Sequence, residues 1–531
     1  MKKIAMPLTA YLMLPVVGLC GAGRSKPTSR SAVGSRFVTR SGPRLYLNNR
    51  MFRFAGANID WLGLVSDTWR DTYYPSAYQV DDGFATVREM GGTVVRSHTL
   101  GIGVGCEKCI EPSLGRFNQE ALRHIDYAIR SAGEHGIKLV IPFSEAAIVC
   151  TAEERIFPLF YSGNMCIFVR WRDSTNIRDF ITNQTIIKDF ERYIDVVLNH
   201  VNTYTGVAYK DDPTILAWEN CNGCGLFVTM GGSESDRNSM ASWVQEIGQH
   251  IKQVDDRHLY EDGSSLFMTD PPDAAQTASV DIVSQEIYPF WDRVMGASQG
   301  ASLHTTTPSD VASIARKVVT DRRVFIVREF GWDVNNWKTT TELQNLLDEF
   351  LKDSNISGDM FWCLRGHSTD HGYMPVPNPA PASYTRSVPD IDSGDWWAFY
   401  YPGKATKWNT LDDMRARGQM LRAHIYAMNG VSPAPRHVIP CAPAITHLAE
   451  GRVEWRGSAG ADTYSIQGGQ KEDGPWTTLC DRCATDIDGC WNDPNPGTTN
   501  KWYRVIPYNL DGVAGRPSQP VRHLESPMRD R

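Results

Sequence analysis

The sequence predicts an α/β protein, a closed (β/α)8 barrel of the TIM type followed by a small all-β sandwich. Three observations predict this arrangement. Apolar, β-branched runs alternate with amphipathic helical patterns from about residue 37 to residue 429, as strand-then-helix units do. Several of these runs end in a lone polar or charged residue, where barrel enzymes place their chemistry. After residue 440 the pattern changes to short alternating strands separated by Gly and Asp turns.

Eight strands are predicted for the barrel. The run at residues 324–331 (VFIVREFG) has the clearest pattern, because β-branched apolar residues end abruptly in Glu329 and Gly331. A strand that is apolar on both faces is typical of a parallel sheet covered by helices. The predicted strands span residues 55–58, 93–96, 138–143, 214–219, 259–261, 281–288, 324–329 and 359–362.

Amphipathic patterns predict the helices between these strands. Asn118 caps the first of them and Gly136 ends it, with apolar residues on one face between the two. Further helices are predicted near residues 185–201, 239–252, 309–319, 341–352 and 410–428. Before the barrel, residues 44–54 predict two strands around an Asn-Asn turn.

The C-terminal region is predicted to be a small β-sandwich. Its alternating segments lie at residues 452–455, 463–467, 476–479 and 502–508. With the Trp455 strand, the turn at residues 461–464 and the late Tyr503 strand, it resembles a fibronectin type III module, which is an immunoglobulin-like sandwich. A spacer role is favoured over sugar binding, because only fold-level analogy supports binding.

Composition excludes several classes of protein. The 531 residues are 41% hydrophobic and 22% charged, which excludes disordered and fibrous chains. A formal net charge of -7 leaves no basic face for phosphate backbones, so nucleic acid is not expected as a partner. The 16 Trp and 20 Tyr residues suit a groove that stacks on sugar rings, although some of them must belong to the core.

Residues 1–22 are predicted to be a secretory signal peptide. Two lysines precede an apolar stretch at residues 4–19, and small residues follow it. A membrane anchor is the alternative, but Pro7 and Pro15 interrupt a stretch that is already short for a span. We therefore expect a secreted protein without membrane contact after cleavage. The predicted divisions are the signal at 1–22, a linker at 23–36, the barrel at 37–429, a linker at 430–440, the sandwich at 441–525 and a tail at 526–531.

The chain has 12 cysteines, and an exported chain with so many is expected to form disulfides. Three Cys-x-x-Cys pairs also have zinc-ligand spacing, but no matching His pairs accompany them, so no metal is predicted. Cys363 is predicted to be a buried free thiol. Six cysteines follow the second, third and fourth strands and are predicted to brace that rim: Cys106, Cys109, Cys150, Cys166, Cys221 and Cys224. Four could close two bridges in the sandwich: Cys441, Cys480, Cys483 and Cys490.

Several strand ends carry residues that can do chemistry together, because strand ends of a closed barrel open into one bowl. Glu329 is the candidate nucleophile, and Arg96 and Tyr288 could keep its carboxylate ionised and aimed. Trp362 offers a platform for a pyranose ring. The other candidates at strand ends are Glu219, Asn222, Gly223 and Glu286.

Seven stretches along the predicted barrel carry a family resemblance: residues 54–58 (FAGAN), 94–96 (VVR), 212–219 (DPTILAWE), 281–284 (DIVS), 288–289 (YP), 328–331 (REFG) and 361–362 (FW). In this order they resemble glycoside hydrolase family 5, nearest its endo-β-1,4-mannanase-like branch. The resemblance implies a retaining mechanism, in which Glu329 attacks the anomeric carbon and a second carboxyl ~5–5.5 Å away protonates the leaving oxygen. It also implies substrate binding by Arg96, Asn58, Asn222, Tyr288 and Trp362.

The second carboxyl is missing from its usual place. In the family the fourth strand ends Trp-Glu-x-x-Asn-Glu, with the last Glu as acid/base, whereas residues 218–223 are WENCNG. Asn222 is kept, and it is expected to hold the sugar 2-hydroxyl. Gly223 occupies the acid/base position and cannot donate a proton. The sixth strand differs as well, because the family's His-x-Tyr is here Glu286-Ile287-Tyr288.

Three interpretations of this change are open. Glu286 could be a relocated acid, or it could merely bond substrate hydroxyls. The chain could instead bind glycans without cutting them, as a pseudoenzyme. Glu145 after the third strand, or a water molecule, could also supply the proton. Glu219 is a weaker candidate, since its family counterpart lies within the barrel wall.

The sequence therefore predicts a secreted, monomeric glycoside hydrolase that needs no cofactor. Its expected substrate is a β-linked polysaccharide, mannan first and other β-glycans second. Glu329 and Glu286 are the predicted catalytic residues. A catalytically impaired glycan-binding protein is the alternative.

Overall fold

The computed structural model describes residues 36–66, 72–147, 150, 162–229, 231–265, 273–288, 307–332, 340–375, 398–406, 409–495 and 501–523. The predicted signal peptide, the linker up to residue 35 and the predicted tail lie outside these residues. Within them, no helix combines the length and apolarity needed to span a bilayer.

Eight parallel strands close into a barrel, each hydrogen-bonded to its neighbours in the chain and the eighth to the first. This confirms the predicted fold class. Each strand is short and almost completely buried, as expected for a parallel sheet enclosed by helices. In order, the strands are Phe54–Asn58, Val94–Arg96, Lys138–Pro142, Ile215–Glu219, Leu259–Asp262, Ile282–Ile287, Val324–Phe330 and Ile356–Phe361.

Two apolar layers hold the barrel together. An interior cluster, which includes Val94, Val140 and Ile326, fills the end at which the strands begin. A larger outer cluster packs the strands against the helices. Because apolar side chains fill only the beginning of the bore, polar and charged side chains occupy the carboxyl ends of the strands.

Seven longer helices surround the described part of the barrel. Most match the predicted positions, but Glu234–Val254 begins five residues before the predicted start because Ser233 and Asp236 form a capping box. The seven are Ala77–Glu89, Gln119–Glu134, Gln184–Asn199, Glu234–Val254, Pro308–Thr320, Thr341–Lys352 and Leu411–Met428. Shorter helices are Met165–Arg170, Asp179–Thr182 and Leu226–Thr229.

Two antiparallel sheets follow the barrel, and residues 441–523 are called the β unit below. One sheet contains Ala444–Ala449, Arg452–Arg456 and Cys490–Asn492, and the other contains Ala461–Gly469, Trp476–Ala484, Trp502–Asn509 and Val521–Arg522. Their shared core includes Trp455, Tyr464 and Tyr503. The all-β prediction is confirmed, and the fibronectin type III assignment stays a prediction.

The β unit and two segments that precede it in the chain pack along the helix Ala77–Glu89, which is called the docking helix below. The imidazole of His367 lies between two carboxylates, with Nδ1 2.8 Å from Asp82 Oδ2 on the docking helix and Nε2 3.0 Å from Asp486 Oδ2 in the β unit. At the far end of the helix, Glu89 accepts hydrogen bonds from Val438 N at 3.1 Å and from His437 Nδ1 at 2.7 Å. The sequence analysis did not identify this helix.

Disulfides brace part of the rim, as predicted. Cys106 pairs with Cys109 and Cys150 with Cys166. Cys221 and Cys224 are free and buried, so the predicted bracing does not extend to the loop after the fourth strand. Cys363 is a buried thiol, as predicted. In the β unit Cys480 pairs with Cys483, whereas Cys490 is a free thiol, so a second bridge that uses Cys490 does not form.

Candidate active site

The strand ends converge on one buried guanidinium, that of Arg96. Its Nε and Nη2 donate to the two carboxylate oxygens of Glu219 at 2.6 and 2.8 Å. Its Nη1 donates to Glu329 Oε1 at 2.5 Å, and Nη2 donates to Asn222 Oδ1 at 2.7 Å. The bidentate pair with Glu219 fixes the plane of the guanidinium, which in turn aims the remaining donors.

Glu329 is held at both carboxylate oxygens. Oε1 accepts from Arg96, and Oε2 accepts from the Tyr288 hydroxyl at 2.7 Å. Burial raises the pKa of this carboxyl, but contact with His98 and the charge of Arg96 outweigh burial and lower the pKa to about 2. Glu329 is therefore an ionised carboxylate at neutral pH, which is the state that a nucleophile requires. Glu329, Arg96 and Tyr288 thus meet as the sequence predicts.

His98 belongs to the same cluster, and the sequence analysis missed it. Its Nε2 lies 2.8 Å from Arg96 Nη1 and 3.3 Å from Glu329 Oε1. Burial and the charge of Arg96 lower the pKa of His98. The available signal was its position two residues after Arg96, just past the end of the second strand, where barrel enzymes place functional side chains.

A β-bulge in the seventh strand places Glu329 in the bowl. Val327 pairs with Gln285 of the sixth strand, but Glu286 pairs with Glu329, so Arg328 is an extra residue. The pairing with the eighth strand shifts over the same residues. Bulges of this kind redirect side chains and recur beside active sites.

Glu286 is the carboxyl that pairs in register with Glu329. Its Oε1 accepts a hydrogen bond from Arg328 Nη2 at 2.8 Å, and 6% of the residue is exposed. Burial and the negative charge of Glu329 raise the pKa of Glu286 to about 8, although Arg328 opposes the shift. Two carboxyls on neighbouring strands therefore differ strongly in their tendency to hold a proton.

Glu145 is another buried carboxyl, on the other side of Arg96. Its Oε1 accepts from Asn222 Nδ2 at 2.8 Å, and Oε2 has no hydrogen-bond partner within the described part of the chain. That oxygen lies 3.5 Å from His98 Nδ1. Burial raises the pKa of Glu145 well above its ordinary value. Glu145 thus takes one of the two N–H donors of the Asn222 amide, and the other N–H can donate to a sugar hydroxyl.

Gly223 follows Asn222 with a backbone φ of 69°, in the left-handed region. Its N–H donates to the carbonyl of Gly263 at 2.7 Å, which ties the turn to the fifth strand's end. A residue with a Cβ is strained at this φ. The acid/base position of the family is therefore occupied here by a turn that favours glycine.

The remaining predicted binding residues occupy different depths. Trp362 lies at the rim, with its ring centroid 4.9 Å from that of His98. Asn58 lies deeper and has no exposed surface, because its amide donates to Arg328 O at 2.8 Å and its Oδ1 accepts from Arg96 at 3.2 Å. Arg96 is also fully buried. The polar groups of Asn58 and Arg96 support Glu329 and Asn222, and direct substrate binding by these two residues stays a prediction.

The bowl contains more carboxyl groups than cations. Two guanidiniums, those of Arg96 and Arg328, are surrounded by the carboxyls of Glu145, Glu219, Glu261, Glu286 and Glu329. Burial raises the pKa of Glu261 to about 8, as it does for Glu286. A raised pKa lowers the cost of burying several acids together, because a protonated carboxyl carries no charge. Among the described residues, no group of three potential ligands is arranged to hold a metal ion.

Comparison with known proteins agrees with this geometry. Residues 35–268 match a family model described as GH family 5 beta-mannosidase-like. The matched segment is less than half of the chain and carries the first five barrel strands, including Arg96 and Asn222. Glu286 and Glu329 lie beyond it.

Curated relatives match over a similar region. The chain is 28% identical over 256 residues to mannan endo-1,4-beta-mannosidase 3 of Arabidopsis thaliana, which covers 47% of this chain and 56% of that protein. It is 27% identical over 308 residues to putative mannan endo-1,4-beta-mannosidase 5 of Oryza sativa subsp. japonica, which covers 53% of this chain and 56% of that protein. The chain thus spans about half the length of the curated relatives it matches.

Solved structures share the fold. The endo-beta-1,4-mannanase from Thermotoga petrophila superposes with a TM-score of 0.52 at 18% identity, covering 90% of this chain and 99% of that one. The endo-1,4-beta-mannanase from Rhizomucor miehei gives 0.52 at 21% identity, covering 74% and 100%. At this identity the similarity concerns the fold alone.

Proposed function

We propose that this protein is a mannanase-like glycoside hydrolase of family 5 that cleaves a β-1,4-linked mannan by a retaining mechanism. The observation that carries the proposal is Glu329, a carboxylate held ionised by Arg96 and oriented by Tyr288 at the mouth of a closed barrel. The mannan-type substrate rests on the printed names of the relatives, which are mannan endo-1,4-beta-mannosidases. The family assignment rests on the model matched by residues 35–268.

In the proposed first step, a carboxylate oxygen of Glu329 attacks the anomeric carbon as the bond to the leaving oxygen breaks. Glu286 gives its proton to that oxygen, so the leaving chain departs as an alcohol and a glycosyl ester remains on Glu329. In the second step, water attacks the anomeric carbon and loses a proton to Glu286. The ester bond breaks, Glu329 regains its charge, and both carboxyls return to their starting states.

Spacing and protonation both favour Glu286 as the acid. Neighbouring strands lie ~4.8 Å apart, and in-register pairing places Glu286 beside Glu329. Retaining enzymes use carboxyls ~5–5.5 Å apart, so the two must come from neighbouring positions of this kind. The pKa of Glu286 is about 8 and that of Glu329 is about 2, and such a divided pair is typical of an acid beside a nucleophile. Burial also raises the pKa of Glu145, but its Oε1 is engaged by Asn222.

A glycan-binding role without cleavage is the second candidate. The turn at Gly223 favours it, because the chain lacks a carboxyl at the position that supplies the proton in the family. Under this hypothesis, Glu286 and Glu145 would only bond sugar hydroxyls.

The two candidates differ in turnover. Purified protein should release reducing ends from β-mannan and less from β-glucans, and both Glu329→Ala and Glu286→Gln should abolish this release. Glu120→Gln is the matched control, because Glu120 is an exposed helix residue outside the bowl. Wild-type protein that binds mannan yet releases no reducing ends after prolonged incubation would establish the binding role instead.

An aryl mannoside with an activated leaving group separates the two carboxyls. Such a substrate needs little acid assistance, so Glu286→Gln should still form the glycosyl ester, whereas Glu329→Ala should not. Mass spectrometry of protein trapped with an activated fluorosugar would detect the added glycosyl group. A label on any residue other than Glu329 contradicts the assignment of the nucleophile.

We also propose that the protein is exported. The lysines and apolar stretch within residues 1–22 support this proposal, and the disulfides Cys106–Cys109 and Cys150–Cys166 are suited to an oxidising compartment. Expression in a eukaryotic secretory host should yield protein in the medium that lacks these residues, as read by N-terminal sequencing.

A further inference from the structure

Arg328 lies next to Glu329 in a strand that is otherwise apolar, and the two catalytic steps give it no role. Its side chain has no exposed surface, so it does not touch a sugar. Its guanidinium is nevertheless held from several sides. Nη1 donates to Ser284 O and Oγ, each at 3.2 Å, while Nη2 donates to Ser265 O at 2.7 Å and to Glu286 Oε1 at 2.8 Å. Such anchoring makes the guanidinium a fixed support for Glu286.

Side-chain alternation along the seventh strand explains how Arg328 reaches this position. Val324 and Ile326 belong to the interior cluster, while Phe325 and Val327 belong to the outer one. Regular alternation would therefore turn residue 328 inward and residue 329 outward, towards the helices. The bulge adds one residue, so both Arg328 and Glu329 face the bowl, and Phe330 returns to the outer cluster. One extra residue thus places a cation beside the nucleophile.

We propose that Arg328 is a positioning residue that holds Glu286 in the proton-donor role that Gly223 cannot fill. This inference rests on the function proposed above. Arg328 engages Oε1 of Glu286, which leaves Oε2 to carry the proton towards the leaving oxygen. A lone carboxyl in the bowl could rotate between several partners, whereas a carboxyl fixed at one oxygen presents its proton in one direction.

The charges around Glu286 support this role through the catalytic cycle. The facing groups are Arg328 and Glu329 on the seventh strand, Arg96 on the second, Tyr288 on the sixth, and Glu145 after the third. Burial and the charge of Glu329 raise the pKa of Glu286, and Arg328 lowers it. When Glu329 becomes a glycosyl ester it loses its charge, so the pKa of Glu286 falls. Arg328 then stabilises the carboxylate that must accept a proton from water.

Replacing Arg328 tests the inference through the acid step. Arg328→Met should reduce kcat/KM on β-mannan by ~10²-fold, as expected for loss of general acid catalysis. It should change ester formation from an activated aryl mannoside by less than about fivefold. In the pH profile of mannan cleavage, the alkaline limb should also move to a pH above the wild-type value of about 8, because the cation that lowers the pKa of Glu286 is gone.

Arg328→Lys is the second variant, and it tests the positioning role if Arg328→Met does not fold. Lysine keeps the charge but cannot reach Ser284, Ser265 and Glu286 together. The mannan kcat should therefore fall while the alkaline limb stays near its wild-type position. Arg53→Met is the matched control: Arg53 is half-buried and bonds backbone carbonyls, including Phe350 O at 2.7 Å, at the opposite end of the barrel. Its pH profile should match that of the wild type.

The positioning role would be overturned if Arg328→Met unfolds at the wild-type temperature but loses as much kcat/KM on mannan as it loses rate of ester formation from the aryl mannoside. An unchanged mannan kcat in Arg328→Lys would also overturn it. Failure of the proposed function is distinguishable, because Glu286→Gln would then retain mannan cleavage or the wild type would show none. If Glu286→Gln is inactive on mannan and Arg328→Met is normal, only the inference about Arg328 is wrong.

Discussion

Residues in the bowl differ in protonation because their neighbours differ. Glu329 lies beside Arg96 and His98, whereas Glu286 lies beside Glu329 itself. A buried carboxyl next to a carboxylate holds its proton, and a buried carboxyl next to a guanidinium loses it. One arginine and one carboxylate therefore divide two glutamates into a nucleophile and an acid.

Activity should extend over a broad pH range and should fall at both its acidic and its alkaline end. Glu329 must be ionised, so activity should fall as pH drops towards its pKa of about 2. Glu286 must be protonated, so activity should fall as pH rises through its pKa of about 8. Measured kcat/KM on β-mannan should therefore show an alkaline limb near the latter value, which Glu286→Asp displaces. A limb that is identical in Glu286→Asp contradicts the assignment of the acid.

Restoring the family's glutamate at position 223 should not restore a normal acid. The backbone φ of 69° at Gly223 disfavours any L side chain, and the strain should cost about 1–2 kcal/mol of unfolding free energy. Gly223→Glu should therefore unfold at a lower temperature and cleave mannan no faster than the wild type. Gly206→Glu is a suitable control for the strain alone, since Gly206 has a φ of 69° on a different loop. A rate increase in Gly223→Glu with unchanged stability would show that the turn adapts.

The sequence predicted those site residues that end strands and missed those that depend on tertiary neighbours. Glu329, Arg96 and Tyr288 follow from strand ends and resemblance. Arg328 could not be assigned, because whether it faces inward depends on a bulge that appears only when three strands pair. The bond between Asn222 and Glu145 joins two loops that are distant in sequence.

At the scale of elements, periodicity predicted each barrel strand and most helices, but it missed the docking helix. A surface helix is recognised by one apolar face opposite a polar one. The docking helix buries Gln79, Asp82 and Glu89 in addition to apolar residues, because the β unit and neighbouring segments cover a face that would otherwise meet water. Its polar residues are partners in an interface that no local pattern reveals.

The loop after the third strand depends on a covalent brace. The disulfide Cys150–Cys166 spans a sequence separation of 16 residues, and closing a loop of that length stabilises a protein by about 3 kcal/mol. Cys150→Ser with Cys166→Ser should lower the denaturant midpoint of unfolding accordingly. Cys490→Ser, which removes a free thiol, should leave the midpoint nearly unchanged. An equal midpoint in the double variant and the wild type would mean that packing alone fixes this loop.

At the scale of the whole molecule, a buried imidazolium joins the barrel to the β unit. Burial disfavours the charge on His367, but the carboxylates of Asp82 and Asp486 outweigh burial and raise its pKa to about 10. Tyr464 donates a further hydrogen bond to Asp486 Oδ2 at 2.6 Å. The contact therefore combines one cation, two anions and a phenol from four separate segments of the chain.

The stability of this contact should depend on pH in a defined direction. The folded pKa of His367 exceeds its unfolded value of about 6.5, so the stabilisation is complete below about pH 6.5 and is lost as pH rises through about 10. Its upper bound is roughly 5 kcal/mol. The unfolding temperature of the full chain should fall as pH rises from about 6.5 to about 10. In His367→Gln, the contribution of this contact to that fall should be absent. His447→Gln, at an exposed position, should retain it, and an unchanged slope in His367→Gln would contradict the assignment.

The docking helix also decides how this protein can be cut for engineering. A fragment that ends after the last barrel helix would leave Glu89 without the Val438 and His437 donors and would leave His367 without Asp486. Grafting the barrel onto another binding module would therefore require redesign of one helix face, not merely a choice of linker.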